Sequence, residues 1–199
     1  YRKKNIINIF LLKHIESLII NNADIIILNN DVIYKIWKNR YSSTLMKKVK
    51  IIPLCTDTDI APPIKDKTNN KKLKIVQAGS IYGKRNIKIL IDVLIELKYI
   101  IPDLEERINF ENYGYIDKIN FKFGTNNIFI QNIITFKENV SYEAIRKIIE
   151  DADCLLLIDG DLPVNVFFPS KLCEYFSYNK LIIALTPEVS ASKNHLIKA

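Results

Sequence analysis

The chain has 199 residues, 48% of them hydrophobic, which excludes a disordered segment and fits one large domain or one domain with part of another. Its 29 Lys and Arg against 22 Asp and Glu leave a net charge of +7. Such a balance suits nucleic acid, a phosphorylated ligand or an anionic membrane face, or simply a solvated lysine-rich surface. No run of 18 apolar residues is present to span a bilayer, and no signal-peptide pattern opens the chain. The first residue is Tyr1 rather than Met, as in a chain that begins inside a longer protein. Gly is scarce, with only five, while Ile, Lys and Asn abound. That bias fits A·T-rich codons, so single Lys or Asn residues carry little weight.

In chain order, residues 5–20 follow a mostly helical rhythm, with charges on one side. "ADIIILNN" predicts a short buried strand from Ile25 to Leu28, and Asp31 a cap for the helix "VIYKIWKNRY". "VKIIPL" is the next strand. "TDTDIAPPIKDKTNNKK" then turns polar and proline-containing, which places a linker at residues 57–71. "LKIVQAG" predicts a strand, and "NIKILIDVLIELKYI" an amphipathic helix with Ile87, Leu90, Ile91, Leu94 and Leu97 on one face. "RINFENYG" alternates as a strand, and "NIFIQNIITF" predicts one strand and a second. "SYEAIRKIIEDA" is a helix capped by Ser141, followed by the apolar strands "DCLLLIDG" and "LIIAL" on either side of a short helix, "SKLCEYFS". "SASKNHLIK" starts a last helix. Short apolar strands alternating with helices predict an α/β fold, a Rossmann-like doubly wound parallel sheet covered on both faces.

Cys55, Cys154 and Cys173 are odd in number and far apart, as buried free thiols in a reducing compartment would be. With two histidines and no close Cys/His cluster, the sequence offers no zinc site. His14 reads as structural. Asp159 and Asp161 flank a glycine and read as loop residues rather than a metal-binding pair.

In an open parallel sheet the ligand lies beyond the carboxyl ends of the strands. One loop there, Ala78 to Asn86, holds Gly79, Ser80, Gly83, Lys84 and Arg85. It suits a phosphate, or is an ordinary turn with solvated cations; it lacks both the Walker ending and the three-glycine dinucleotide pattern. A second, "FFPSKLCEYFSYNKLIIAL", puts Ser170 at the expected N-cap, with Lys171 beside it, an arrangement that favours an anion. Glu174, one turn on, is placed to hold a pair of sugar hydroxyls, or to pair with Lys171 at i,i+3 on an exposed face.

Four stretches in this order, "ADIIILNN", "VKIIPLCTDTD", "AGSIYGKRN" and "FFPSKLCEYFSYNKLIIAL", resemble the C-terminal part of GT-B glycosyltransferases, above all the retaining bacterial enzymes that build surface polysaccharide. The resemblance implies that residues 1–56 end an acceptor-side Rossmann domain, 72–187 form the nucleotide-sugar-binding domain, and 188–199 begin the terminal helix. It assigns donor diphosphate binding to Gly79, Lys84, Arg85, Ser170 and Lys171, and ribose binding to Glu174. The match departs where Ser80 stands in place of a basic residue and Val166 in place of a glutamate.

The implied substrate is a nucleotide-sugar, with no cofactor and no metal, and the implied acceptor a saccharide or lipid-linked glycan. The implied place is the cytoplasm, at the inner face of the cell membrane, with which the basic segment Tyr1–Ile20 is compatible. Catalytic residues of the acceptor side fall outside the matched stretches, so the chain alone is expected to bind nucleotide without transferring sugar. A GT-B-fold nucleotide-sugar epimerase or a non-catalytic nucleotide-binding module would share the same diphosphate face. Nucleic acid is not the expected partner, because the lysines are dispersed and not interleaved with aromatics.

Overall fold

A computed structural model describes residues 6–55 and 72–197. The segment expected to be a linker, 57–71, lies outside the described residues. The chain divides into two compact units, Tyr1–Leu54 and Cys55–Ala199.

The smaller unit runs α1 (Ile6–Asn22), β1 (Ile26–Leu28), α2 (Asp31–Arg40), α3 (Ser43–Met46) and β2 (Val49–Ile51), with the two strands parallel. Leu28, Met46 and Val49 form its core, with Trp37 and Tyr41 packed against them. Glu16 of α1 accepts both guanidinium nitrogens of Arg40 at 3.2 Å and the Tyr41 hydroxyl at 2.6 Å.

Three expectations change here. Asn30, not Asp31, caps α2: its backbone is extended and its side chain accepts from the Ile33 N–H at 3.0 Å. The cap must precede the first helical residue, which Asp31 already is. The first strand is not buried on both sides, since Leu28 is buried but Ile27 is 61% exposed. Nor is the apolar side of α1 buried within this unit: Phe10, Leu11, Leu12 and Ile15 are all exposed.

The larger unit runs β3 (Leu73–Ala78), α4 (Lys88–Ile100), α5 (Leu104–Arg107), β4 (Ile108–Tyr113), α6 (Lys118–Thr125), α7 (Ile128–Ile133), β5 (Ile134–Lys137), α8 (Tyr142–Asp151), β6 (Cys154–Ile158), α9 (Ser170–Phe176), β7 (Leu181–Leu185) and α10 (Ala191–Leu196). Its five strands are all parallel, in the order β5-β4-β3-β6-β7. This is the expected Rossmann-like α/β fold. The chain winds outward from β3 to one edge, then restarts at β6 and winds to the other. The crevice between β3 and β6 is therefore the switch point where ligands of such sheets bind.

Ile87, Ile91 and Leu94 of the α4 segment are buried with Phe110, Leu156 and Ile158, and all five residues of β6 are buried. Residues 128–133, expected to be a strand, form α7. Asn127 caps it by accepting from the Phe129 N–H at 2.9 Å, and Phe129, Ile130 and Ile133 bury a helical rather than an alternating face. β7 is apolar as expected but lies at the sheet edge, so Leu181 is 64% exposed. Cys154 and Cys173 are buried and form no disulfide, whereas Cys55 is exposed. Among the described residues no helix is long and apolar enough to cross a membrane.

Candidate functional site

The loop after β3 is held by the loop after β4. The Gly79 N–H donates to the Tyr113 carbonyl at 2.7 Å, and the Ile81 N–H to the Tyr115 carbonyl at 2.8 Å. Gly114 lies so close to Gly79 that a Cβ there would come within 2.5 Å of the Gly79 carbonyl carbon. Asp117 caps α6 by accepting from the Asn120 N–H at 2.9 Å, and its other oxygen accepts from the Gly83 N–H at 2.9 Å. Burial alone would raise the Asp117 carboxyl; the Asn120 and Gly83 N–H groups and the Asn120 amide hold it below the usual value. Asn120, itself buried, accepts from the Ile87 N–H and donates to the Arg85 carbonyl. Arg85 also forms an antiparallel bridge to Gly160, the second residue beyond β6. A loop with two glycines at positive φ is thus fixed on both sides.

α9 approaches the same edge. Tyr175, fully buried, accepts the Ala78 N–H on its hydroxyl at 2.9 Å, where β3 has outrun its pairing with β6. One turn earlier Lys171 extends over Gly79 and donates from Nζ to Gln77 Oε1 at 2.7 Å. Burial first, then the Arg85 guanidinium, push the Lys171 ammonium down to about 7, while the Asp159 carboxylate works against them. Asp159 is buried at the end of β6 and accepts the Thr186 hydroxyl at 2.8 Å. Beside it a cavity of about 250 Å³ opens between Asn86, Asp161, Thr186 and Pro187.

The geometry therefore brings Gly79, Arg85 and Lys171 together. Lys84 is exposed on the same loop, and its backbone carbonyl accepts from the Asp161 N–H at 2.7 Å. Ser170 is not the N-cap: Pro169 holds that position with no side-chain cap, and Ser170 is the first helical residue, exposed. Proline's fixed φ and the extended backbone at Pro169 start the helix one residue sooner. Glu174 does not pair with Lys171, whose ammonium is taken by Gln77. Its Oε1 is buried and accepts no hydrogen bond. Burial pushes the Glu174 carboxyl up, with the charge of Arg146 opposing.

Gln77, Gly114, Asn120, Asp159 and Tyr175 were not legible as site residues. Asp117 and Asn120 have the spacing of a helix cap, which was the available signal. Among the described residues no group of three or more His, Cys, Asp or Glu could hold a metal ion.

Solved glycosyltransferases share this fold. TarM of Staphylococcus aureus superposes with a TM-score of 0.61 at 14% identity, over 89% of this chain and 34% of its own, in a complex with UDP and alpha-GlcNAc-glycerol. The pneumococcal O-GlcNAc transferase GtfA, bound to UDP and GlcNAc, gives 0.58 at 15%, over 85% of this chain and 31% of its own. The lipopolysaccharide outer core galactosyltransferase WaaB gives 0.55 at 18%, over 81% and 43%. The fold is shared with GT-B glycosyltransferases, and the chain spans 31% to 43% of the length of these neighbours. No protein-family pattern and no curated protein matches the sequence.

Proposed function

We propose that this chain carries the donor-binding part of a glycosyltransferase that takes sugar from a nucleotide-sugar. The observation that carries the reading is the Lys171 ammonium, half-buried in the field of Arg85 and above Gly79 at the switch point of the sheet. Two cations forced together in a crevice weaken each other unless an anion joins them. A diphosphate supplies that anion, and fixed cations stabilise the charge that gathers on it as the sugar departs with oxocarbenium character.

The exposed Lys84 and the first amides of α9, from Ser170 on, are further proposed ligands of the diphosphate. Glu174, with a buried acceptor oxygen left open, suits the paired hydroxyls of a ribose. UDP is the first candidate because TarM and GtfA bind it. The remaining steps of the reading are an acceptor that is a saccharide or lipid-linked glycan, a role in surface polysaccharide or glycoconjugate synthesis, and work at the cytoplasmic face of a membrane. Protein cations, rather than a metal ion, are the proposed diphosphate ligands.

The test is a binding panel of UDP, GDP and ADP, each with and without sugar. Saturable one-to-one binding with one preferred base is expected. Failure of all six, together with tight binding of nucleic acid that falls steeply with salt, would replace the reading.

A further inference from the structure

Lys171 does not reach its position unaided. Gln77 is the fifth residue of β3 and fully buried, and its side chain is held at both ends. Its Oε1 accepts from Lys171 Nζ at 2.7 Å, and its Nε2 donates to the Gly79 carbonyl at 3.1 Å. The amide can face only one way. An ammonium only donates and a carbonyl only accepts, so the oxygen must meet Lys171 and the nitrogen Gly79.

We propose that Gln77 is a positioning residue, clamping the Lys171 ammonium over the glycine loop so that it stands ready for an anionic ligand. The inference rests on reading this crevice as a diphosphate site. A neutral acceptor is the informative choice. A carboxylate in its place would neutralise Lys171 and repel a diphosphate; an apolar side chain would leave the ammonium without its buried acceptor. The amide fixes geometry and leaves the charge available for the ligand.

Three other groups share in setting Lys171. Arg85, from the loop after β3, opposes its charge, and Asp159, at the end of β6, supports it. The backbone of Gly79 lies beneath it: a Cβ there would stand 3.4 Å from Nζ. Tyr175, one turn along α9, fixes the helix to the Ala78 N–H independently of Gln77. Removing Gln77 should therefore leave the ammonium without its acceptor while the helix stays in place.

The experiment follows Lys171 by NMR of lysine labelled at Cε, in the parent chain and in Gln77→Leu and Gln77→Glu, across pH 5–10. The same variants are titrated with a UDP-sugar and with inorganic pyrophosphate. The parent Lys171 should titrate near neutrality. In Gln77→Glu the opposite charge should move it to between about 8 and 10, flattening the pH dependence of anion binding while lowering affinity.

In Gln77→Leu the titration should move further down and UDP-sugar affinity at pH 7 should fall about tenfold, the loss of one charge-assisted hydrogen bond. Unchanged Lys171 titration in either folded variant would overturn the role of Gln77. If Lys171 shifts as described but neither UDP-sugar nor pyrophosphate binds the parent chain, the clamp stands and the diphosphate reading fails.

Discussion

The side chain of Asn120 and the backbone of Ile87 meet at 2.9 Å, the amide oxygen accepting the N–H that opens the turn into α4, while the amide nitrogen donates to the carbonyl of Arg85 at 3.2 Å. One buried side chain from the α6 region thus sets the path of the basic loop. Asn120→Leu leaves the Ile87 N–H buried and unpaired, a loss of about 1–3 kcal/mol. Urea unfolding should show a lower midpoint at an unchanged slope, and UDP-sugar affinity should drop several-fold as Arg85 loosens. Parent-like stability would mean that the Asn120 bonds are replaced without loss by water.

Gly114 is required by a close approach. Its φ is 145°, and a Cβ would lie 2.5 Å from the Gly79 carbonyl carbon and 2.7 Å from its oxygen. Both atoms are backbone and cannot swing aside. Gly114→Ala should destabilise by at least the order of 1–3 kcal/mol that such a conformation alone costs, with thermal unfolding as the readout. A variant as stable as the parent would place the two loops further apart than described.

Glu174 should trade stability for binding. Its carboxyl is raised by burial, so its contribution to stability is present in full below the ordinary carboxylate range and is lost as pH rises through the folded value. Glu174→Gln should therefore gain on the parent as pH climbs from about 4 to 7, seen as a growing difference in unfolding midpoint. The same variant should bind nucleoside diphosphate about tenfold more weakly. A variant that loses stability and keeps affinity would make Glu174 structural.

Lys171 makes binding pH-dependent. Near 7 in the free chain, it is largely neutral at pH 8, and a diphosphate beside it favours the ammonium. UDP-sugar binding at pH 8 should take up close to one proton, and at pH 5.5 almost none. A UDP-sugar is the proper probe, since its diphosphate has no proton titrating near neutrality. Calorimetry in buffers of different ionisation enthalpy measures the uptake. No uptake at pH 8 would remove Lys171 from the ligand's surroundings.

The sheet was legible because its strands are short apolar or alternating runs closed by turns, and β6 is buried along its whole length. Residues 128–133 were not, because six apolar-rich residues after an asparagine fit strand and helix alike until Asn127 is seen to cap. Lys171 and Glu174 stand out in sequence as charges in a mostly apolar helix, and Arg85 as one of two adjacent cations in the loop beyond a strand. Gln77 and Tyr175 do not. Each lies in a segment explained by packing alone, and each acts through a partner nearly a hundred residues away, Lys171 for Gln77 and Ala78 for Tyr175. Ser170 misled because serine is a favoured cap, yet the proline before it already supplies the extended residue.

A diphosphate held in the crevice between β3 and β6 must be felt by the amides that line it. An amide-resolved NMR titration of the chain with UDP at physiological salt reads those amides. Saturable shifts should centre on Gly79, Ser80, Arg85, Ser170 and Lys171, with Glu174 following through the ribose. Shifts that are absent, or that scatter over the exposed lysines and vanish with added salt, would contradict it.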